Sequence, residues 1–166
     1  MQTIYYGTGK GKSSAAIGQA LLAAAEGKTV AVVQFLKDGR EAKSFALPTL
    51  HWFSLGRKFD FFRMLPQQVQ EEVTSTHHQI LQEAVQMVQE GGCLVLDEVL
   101  HALSFGLLEE EVLQQALAKL PPEVEIVYTG KTPPLWLLNQ ADAVTRFLQE
   151  KQPKQPENLD AIPIEL

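Results

Sequence analysis

The 166-residue sequence contains only one cysteine, Cys93. This excludes an intramolecular disulfide framework and a cysteine-cluster metal site, and it favours a reducing, cytoplasmic setting. No apolar run approaches the roughly 20 residues that a membrane-spanning helix needs. Residues 1–4 (MQTI) do not form a basic region followed by an apolar stretch, so we expect no signal peptide and no membrane partner.

Basic residues are also scarce overall. The chain has 14 Lys and Arg against 20 Asp and Glu, a formal net charge of −6, which argues against general nucleic-acid binding. The shortage is uneven, because residues 1–63 hold nine basic and four acidic side chains while residues 64–166 hold five and sixteen. The basic N-terminal third indicates either a bound anionic ligand or a solvated face with chance clustering.

The length suits one domain, and the pattern of apolar runs indicates its class. Short apolar runs alternate with longer amphipathic ones, which predicts a single α/β domain whose mostly parallel sheet has helices on both faces. Residues 1–148 are expected to form this domain, and residues 149–166 an irregular C-terminal tail. Strands are predicted at 3–6, 28–35, 50–55, 93–96, 124–128 and 143–147, and helices at 13–26, 66–90, 109–120 and 133–140.

The strongest motif, GTGKGKSS at residues 7–14, lies between the first predicted strand and the first predicted helix. Glycines there let backbone N–H groups converge on phosphate oxygens, and the helix N-terminus adds its dipole. Lys12 would reach a terminal phosphate and face solvent in the empty protein, and the Ser13 hydroxyl would ligate Mg²⁺. Tyr6 stands where the usual pattern has its first glycine, so the loop is one residue short. The alternative is a glycine-rich turn without a ligand. The candidate nucleotide-binding residues in this loop are Gly7, Thr8, Gly9, Lys10, Gly11, Lys12, Ser13 and Ser14.

Two carboxylates, Asp97 and Glu98, follow the apolar run 94–96. In phosphate-loop proteins an Asp at this place holds Mg²⁺, and a neighbouring Glu often activates water. Ser13 and Asp97 are therefore the candidate metal ligands, and replacing Asp97 by asparagine is expected to raise the Mg²⁺ requirement with little loss of stability. The alternative is that Asp97 only caps a helix.

Five segments occur in order along the chain: GTGKGKSS (7–14), VQFLK (33–37), LDE (96–98), YTG (128–130) and ADAVT (141–145). Together they resemble the cob(I)alamin (corrinoid) adenosyltransferases of the CobA/CobO/BtuR type, over roughly residues 3–147. The resemblance implies a RecA-like phosphate-loop fold that binds ATP with Mg²⁺ or Mn²⁺. It also implies that the Co(I) of a reduced corrinoid attacks the 5′ carbon of ATP and triphosphate leaves, with a separate reductase as the electron-donating partner. A homodimer is left open.

The resemblance also implies roles for particular residues. Lys10 beside Lys12 suits a departing triphosphate, and Glu98 would position ligand or metal because no water needs activation. Glu41 matches a Gly-Glu pair near the nucleoside. Phe59 and Phe61 match two aromatics that lie under the corrin ring and displace its lower ligand; the alternative is a small aromatic core cluster. The implied catalytic set is Lys12, Phe59, Phe61 and Glu98.

Two other functions stay open at this point. One is a non-catalytic relative that binds a nucleotide or a corrinoid, and the other is an ordinary phosphate-loop ATPase.

Away from the motifs, His77 and His78 lie next to each other in the long predicted helix, and we expect both to be solvated.

Overall fold

The computed structural model describes residues 1–40, 45, 47–55, 62–88 and 90–151. In this part of the chain the order is β-α-β-β-α-β-α-α-β-α-β, so strands and helices are interspersed along the sequence. The strands are β1 (Gln2–Gly7), β2 (Val30–Gln34), β3 (Leu50–Phe53), β4 (Cys93–Asp97), β5 (Glu125–Gly130) and β6 (Ala143–Phe147). The helices are α1 (Lys12–Ala25), α2 (Gln67–Met87), α3 (Val99–Phe105), α4 (Glu110–Leu117) and α5 (Leu135–Gln140), and a 3₁₀ turn covers Phe62–Met64.

The strands form one sheet in the order β3-β2-β4-β5-β1-β6, and every strand pair within the described residues is parallel. The α/β prediction is confirmed, and the fold is consistent with the RecA-like phosphate-loop class. β2 and β4 are buried along their whole length, as expected for central parallel strands with helices on both faces. Because the strands are parallel, the carboxyl ends of β1, β2, β4 and β5 lie at the same edge of the sheet.

Alternate residues of β2 and β4 point into two separate cores. Val30, Val32 and Val95 pack with the alanines of α1 on one face. Val33 and Leu96 belong to the larger cluster on the other face, which includes residues of α2, α3, α4 and α5. The continuous apolar runs of the sequence thus serve both faces at once, since successive side chains of a strand point to opposite sides.

One helix was not predicted, and one expectation about a helix was wrong. The helix that was not predicted is α3, which has seven residues, begins two residues after Asp97 and is followed by Gly106, with a left-handed φ of 73°. His77 is not solvated: it is 1% exposed, its Nδ1 donates to the Val73 carbonyl oxygen at 2.8 Å, and its ring stacks on Phe35. The reason is its place on the stripe of α2 that includes Val73 and Leu81 and faces the core. Among the described residues, no helix is long and apolar enough to cross a membrane.

Candidate nucleotide and metal site

A cavity of about 290 Å³ lies at the carboxyl edge of the sheet, lined by residues 8–14 and Glu98. The loop follows β1, and Glu98 follows β4, so β5 lies between the two strands that deliver them. Glu98 is at least 84 residues away from residues 8–14 in sequence, and the parallel sheet places both around one opening. The candidate phosphate loop and one of the two candidate carboxylates are therefore together.

Two positions of the loop favour glycine for different structural reasons. Gly11 has a φ of 104° and directly precedes α1, a left-handed conformation that favours glycine. Gly9 lies against the end of β6: its N–H donates to the Phe147 carbonyl oxygen at 2.9 Å, and a Cβ on Gly9 would come within 2.8 Å of backbone atoms of Phe147 and Leu148. The N–H of Gly7 likewise donates to the Lys131 carbonyl oxygen at 3.1 Å.

These contacts change which groups can bind phosphate. The N–H groups of Gly7 and Gly9 bond to neighbouring backbone and are not available to a phosphate. The first N–H groups of α1 have no partners within the helix and could accept that role. Thr8, Lys10 and Ser14 are exposed at this opening.

Lys12 lines the cavity but is only partly exposed, whereas the sequence predicted a solvent-facing side chain. The side chain is half-buried, and its Nζ donates to the Gly9 carbonyl oxygen at 2.7 Å. Lys12 is the first residue of α1, and the turn that begins the helix brings the Gly9 carbonyl oxygen within its reach. This bond uses one of the three N–H donors of the ammonium group, so two remain that can contact a phosphate.

Asp97 is the centre of a buried hydrogen-bond network at the end of β4. It is fully buried; Oδ1 accepts from Thr129 Oγ1 at 2.7 Å, and Oδ2 accepts from Lys37 Nζ at 2.6 Å and from Gln34 Nε2 at 3.3 Å. Gln34 ends β2 and pairs in register with Asp97, and Thr129 lies in β5, so both strands adjacent to β4 contribute a donor. The helix-cap alternative does not describe this carboxylate, because Glu98, not Asp97, stands at the start of α3.

Lys37 joins the two candidate metal ligands. Its Nζ donates to Ser13 Oγ at 2.9 Å as well as to Asp97 Oδ2, so both oxygens converge on one ammonium group. No group of three or more His, Cys, Asp or Glu side chains in the described ranges could hold a metal ion. One hydroxyl and one carboxylate nevertheless fit Mg²⁺, which usually takes one or two carboxylates together with substrate phosphates and water.

Glu98 is held in an unusual backbone conformation. Its φ is 63°, its N–H donates to Thr129 Oγ1 at 2.8 Å, and its Oε2 accepts a hydrogen bond from His101 Nδ1 on the first turn of α3. Among the described residues, the non-glycine residues with positive φ are Glu98 and Leu36, at 60°. Glu98 directly follows Asp97 and Leu36 directly precedes Lys37, so backbone strain is concentrated on both sides of the Asp97–Lys37 pair.

Three predicted site residues, Glu41, Phe59 and Phe61, lie outside the described residues. The chain is described again from Phe62, which is buried, and Arg63 donates through its guanidinium to the carbonyl oxygens of Ser104 and Phe105. Residues 62–63 are thus fixed against the C-terminal end of α3, the helix that begins beside Glu98.

Sequence reasoning gave no role to four side chains of this network: Gln34, Lys37, His101 and Thr129. VQFLK and YTG were quoted only as parts of a resemblance. The available signal was position, because Gln34 and Thr129 lie at or near the carboxyl ends of predicted strands, where parallel sheets gather polar side chains.

Comparison with known proteins gives one consistent result. A sequence model of the family described as "ATP:corrinoid adenosyltransferase BtuR/CobO/CobP" matches residues 1–163. A corrinoid adenosyltransferase of Escherichia coli (strain K12) is 29% identical over 146 residues, covering 87% of this chain and 74% of the relative. A corrinoid adenosyltransferase of Pseudomonas aeruginosa is 28% identical over 161 residues, covering 87% of this chain and 72% of the relative.

Proposed function

The chain belongs to the BtuR/CobO/CobP family of ATP:corrinoid adenosyltransferases, and we propose that it transfers the adenosyl group of ATP to a reduced corrinoid. The structural observation that carries this proposal is the cavity that the loop 8–14 and Glu98 line together. Family membership favours this transferase over an ATPase or a non-catalytic binding protein, the alternatives that the sequence left open.

The reaction needs a site that stabilises negative charge on a leaving group. Co(I) donates an electron pair to the 5′ carbon of ATP, the bond from that carbon to the triphosphate oxygen breaks, and triphosphate leaves with the bonding pair while cobalt becomes formally Co(III). The N-terminus of α1, Lys12 and the exposed Lys10 supply positive charge on the side where triphosphate departs. Lys12 donates one hydrogen bond to the Gly9 carbonyl oxygen and has two further N–H donors for a phosphate oxygen, so its positive charge gains an anionic partner.

Ser13 and Asp97 are the residues that would hold a Mg²⁺ or Mn²⁺ ion. Such an ion supplies positive charge to the triphosphate when it is bound. Glu98, which lines the cavity and is hydrogen-bonded to His101, is assigned to positioning ligand or metal rather than to activating water, because the reaction uses no water.

The corrinoid side of the site is proposed from the resemblance alone. Phe59 and Phe61 would lie under the corrin ring and displace its lower ligand, and Glu41 would contact the nucleoside. The same proposal includes a separate reductase that supplies Co(I) and a cytoplasmic location.

The decisive experiment identifies the inorganic product. The protein is incubated anaerobically with ATP, Mg²⁺ and chemically reduced corrinoid, and the phosphate products are separated. Triphosphate formed in equal amount to the adenosylated corrinoid supports the transferase, whereas ADP with phosphate supports the ATPase and ATP binding without product supports the binding protein. Lys12→Ala should lose product formation, while Lys119→Ala, which removes an exposed lysine beyond the end of α4, should not.

The aromatic pair is tested by changing the oxidation state supplied. Replacing Phe59 and Phe61 by alanine should leave ATP binding intact, because the phosphate contacts lie in a different loop. It should sharply reduce adenosylation that starts from Co(II), and reduce it less when Co(I) is supplied, since the difficult reduction is then bypassed. Equal losses under both conditions would assign these rings to packing.

A further inference from the structure

The position between Ser13 and Asp97 already holds a cation that belongs to the chain. Lys37 Nζ lies 2.9 Å from Ser13 Oγ and 2.6 Å from Asp97 Oδ2, and these are the two oxygens that would ligate a divalent ion. Mg²⁺ binds oxygens at about 2.0–2.1 Å, so an ion ligated by both oxygens would take the space of the ammonium group. Two cations cannot share that space, because their repulsion in a poorly hydrated site is strong.

The fold holds Lys37 at this place. Leu36, with its left-handed φ of 60°, turns the chain directly after Phe35, and the Phe35 N–H donates to the Asp97 carbonyl oxygen at 3.0 Å. The side chain of Lys37 is 23% exposed, whereas Asp97 is fully buried. Asp97 is thus a buried carboxylate whose charge is balanced by Lys37, and removing either partner leaves the other without its counter-charge.

We propose that Lys37 excludes a divalent cation from the Ser13–Asp97 position in the nucleotide-free protein, so that metal enters that position only together with nucleotide. This inference rests on the proposed ATP-binding function. The triphosphate of ATP, bound beside Ser13, gives the ammonium group of Lys37 a new anionic partner, and the ion brought with the phosphates takes over the contacts to Ser13 and Asp97. Lys37 is a positioning residue: it couples the arrival of phosphate to the loading of metal.

The test measures Mn²⁺ binding by electron paramagnetic resonance in the absence of nucleotide and corrinoid. Lys37→Met should bind Mn²⁺ at least about tenfold more tightly than the wild-type protein, the change in affinity that about 1.4 kcal/mol produces. The double variant Lys37→Met/Asp97→Asn should lose the gain, because the carboxylate charge is gone. Lys37→Arg, which keeps the positive charge, and Lys119→Met, which removes a charge far from the site, should both bind Mn²⁺ as weakly as the wild type.

A second measurement does not depend on any Lys37 variant. In the wild-type protein without nucleotide, Mn²⁺ should raise the melting temperature no more than it does in Asp97→Asn. The inference is overturned if nucleotide-free wild type binds Mn²⁺ at a site that Asp97→Asn abolishes, or if Lys37→Met and wild type bind Mn²⁺ equally. These outcomes are separable from those of the proposed function. Triphosphate production together with equal Mn²⁺ affinities of wild type and Lys37→Met would contradict this inference alone. No triphosphate, together with the expected difference in Mn²⁺ affinity, would contradict the transferase alone.

Discussion

Replacing Asp97 by asparagine tests the buried network at the end of β4. Asparagine keeps the shape of the side chain and can present its oxygen to Lys37 and its NH₂ group to Thr129 Oγ1. The change removes the negative charge that now lies 2.6 Å from Lys37 Nζ, and it deprives the Thr129 hydroxyl of its acceptor. Sequence reasoning expected little loss of stability, but these contacts predict a clear loss.

The size of the loss follows from burial. Breaking a buried ion pair by removing one partner costs about 3–5 kcal/mol, and a hydrogen bond to a charged group contributes about 1.5–3 kcal/mol. Lys37 is 23% exposed and keeps its bond to Ser13 Oγ, so water can solvate part of the ammonium group. We therefore expect the free energy of unfolding to fall by about 2–3 kcal/mol, and the melting temperature by about 4–12 °C for a chain of this size.

The assay is urea unfolding followed by circular dichroism, in metal-free buffer. Asp142→Asn is the matched control, since Asp142 is exposed and accepts one backbone hydrogen bond from Gln2; its loss should stay within about 1 kcal/mol. A double-mutant cycle with Lys37→Met should give a coupling energy of about 1–3 kcal/mol, in the range found for residues in one network. Equal midpoints for Asp97→Asn and Asp142→Asn, or no coupling, would refute the closed Asp97–Lys37 pair.

Three further changes address the loop and the buried histidine. Lys12→Ala should weaken ATP binding by about 1.5–3 kcal/mol in calorimetric titration while the unfolding midpoint changes little; unchanged affinity would remove this side chain from the phosphate site. Gly9→Ala should lower the free energy of unfolding by about 1–3 kcal/mol and also weaken ATP binding, because its Cβ would meet backbone within 2.8 Å. Its control is Gly18→Ala, where the Cβ would meet nothing within 4 Å; this change should stabilise α1 by about 0.5–1 kcal/mol. Burial lowers the pKa of His77 below the ordinary 6.5. As the pH falls from about 6.5, the unfolded chain therefore gains a proton before the folded one does. The free energy of unfolding then decreases with a slope of up to about 1.4 kcal/mol per pH unit. Urea midpoints between about pH 5 and 7 should show that slope flattened in His77→Gln and retained in His51→Gln; the same slope in both would show that His77 does not cause it.

The sequence by itself determined the class of the fold and the position of the candidate phosphate loop. The apolar runs of β2 and β4 predict buried parallel strands, because only strands covered on both faces bury every side chain. GTGKGKSS predicts its place between β1 and α1, since its glycines suit a tight turn into a helix. These features are local, so a short stretch of chain is enough to show them.

Tertiary structure alone decided which side chains meet. Lys37 contacts Ser13 and Asp97 across 24 and 60 residues of sequence, because β2 and β4 are neighbours and the first turn of α1 lies at the same edge of the sheet. No local pattern specifies that strand order, which depends on how the helices cover both faces of the sheet. His77 shows the same limit: a polar residue on a helix can be placed only when the packed face is known. The sequence therefore predicted two candidate metal ligands, and the fold placed a lysine between them.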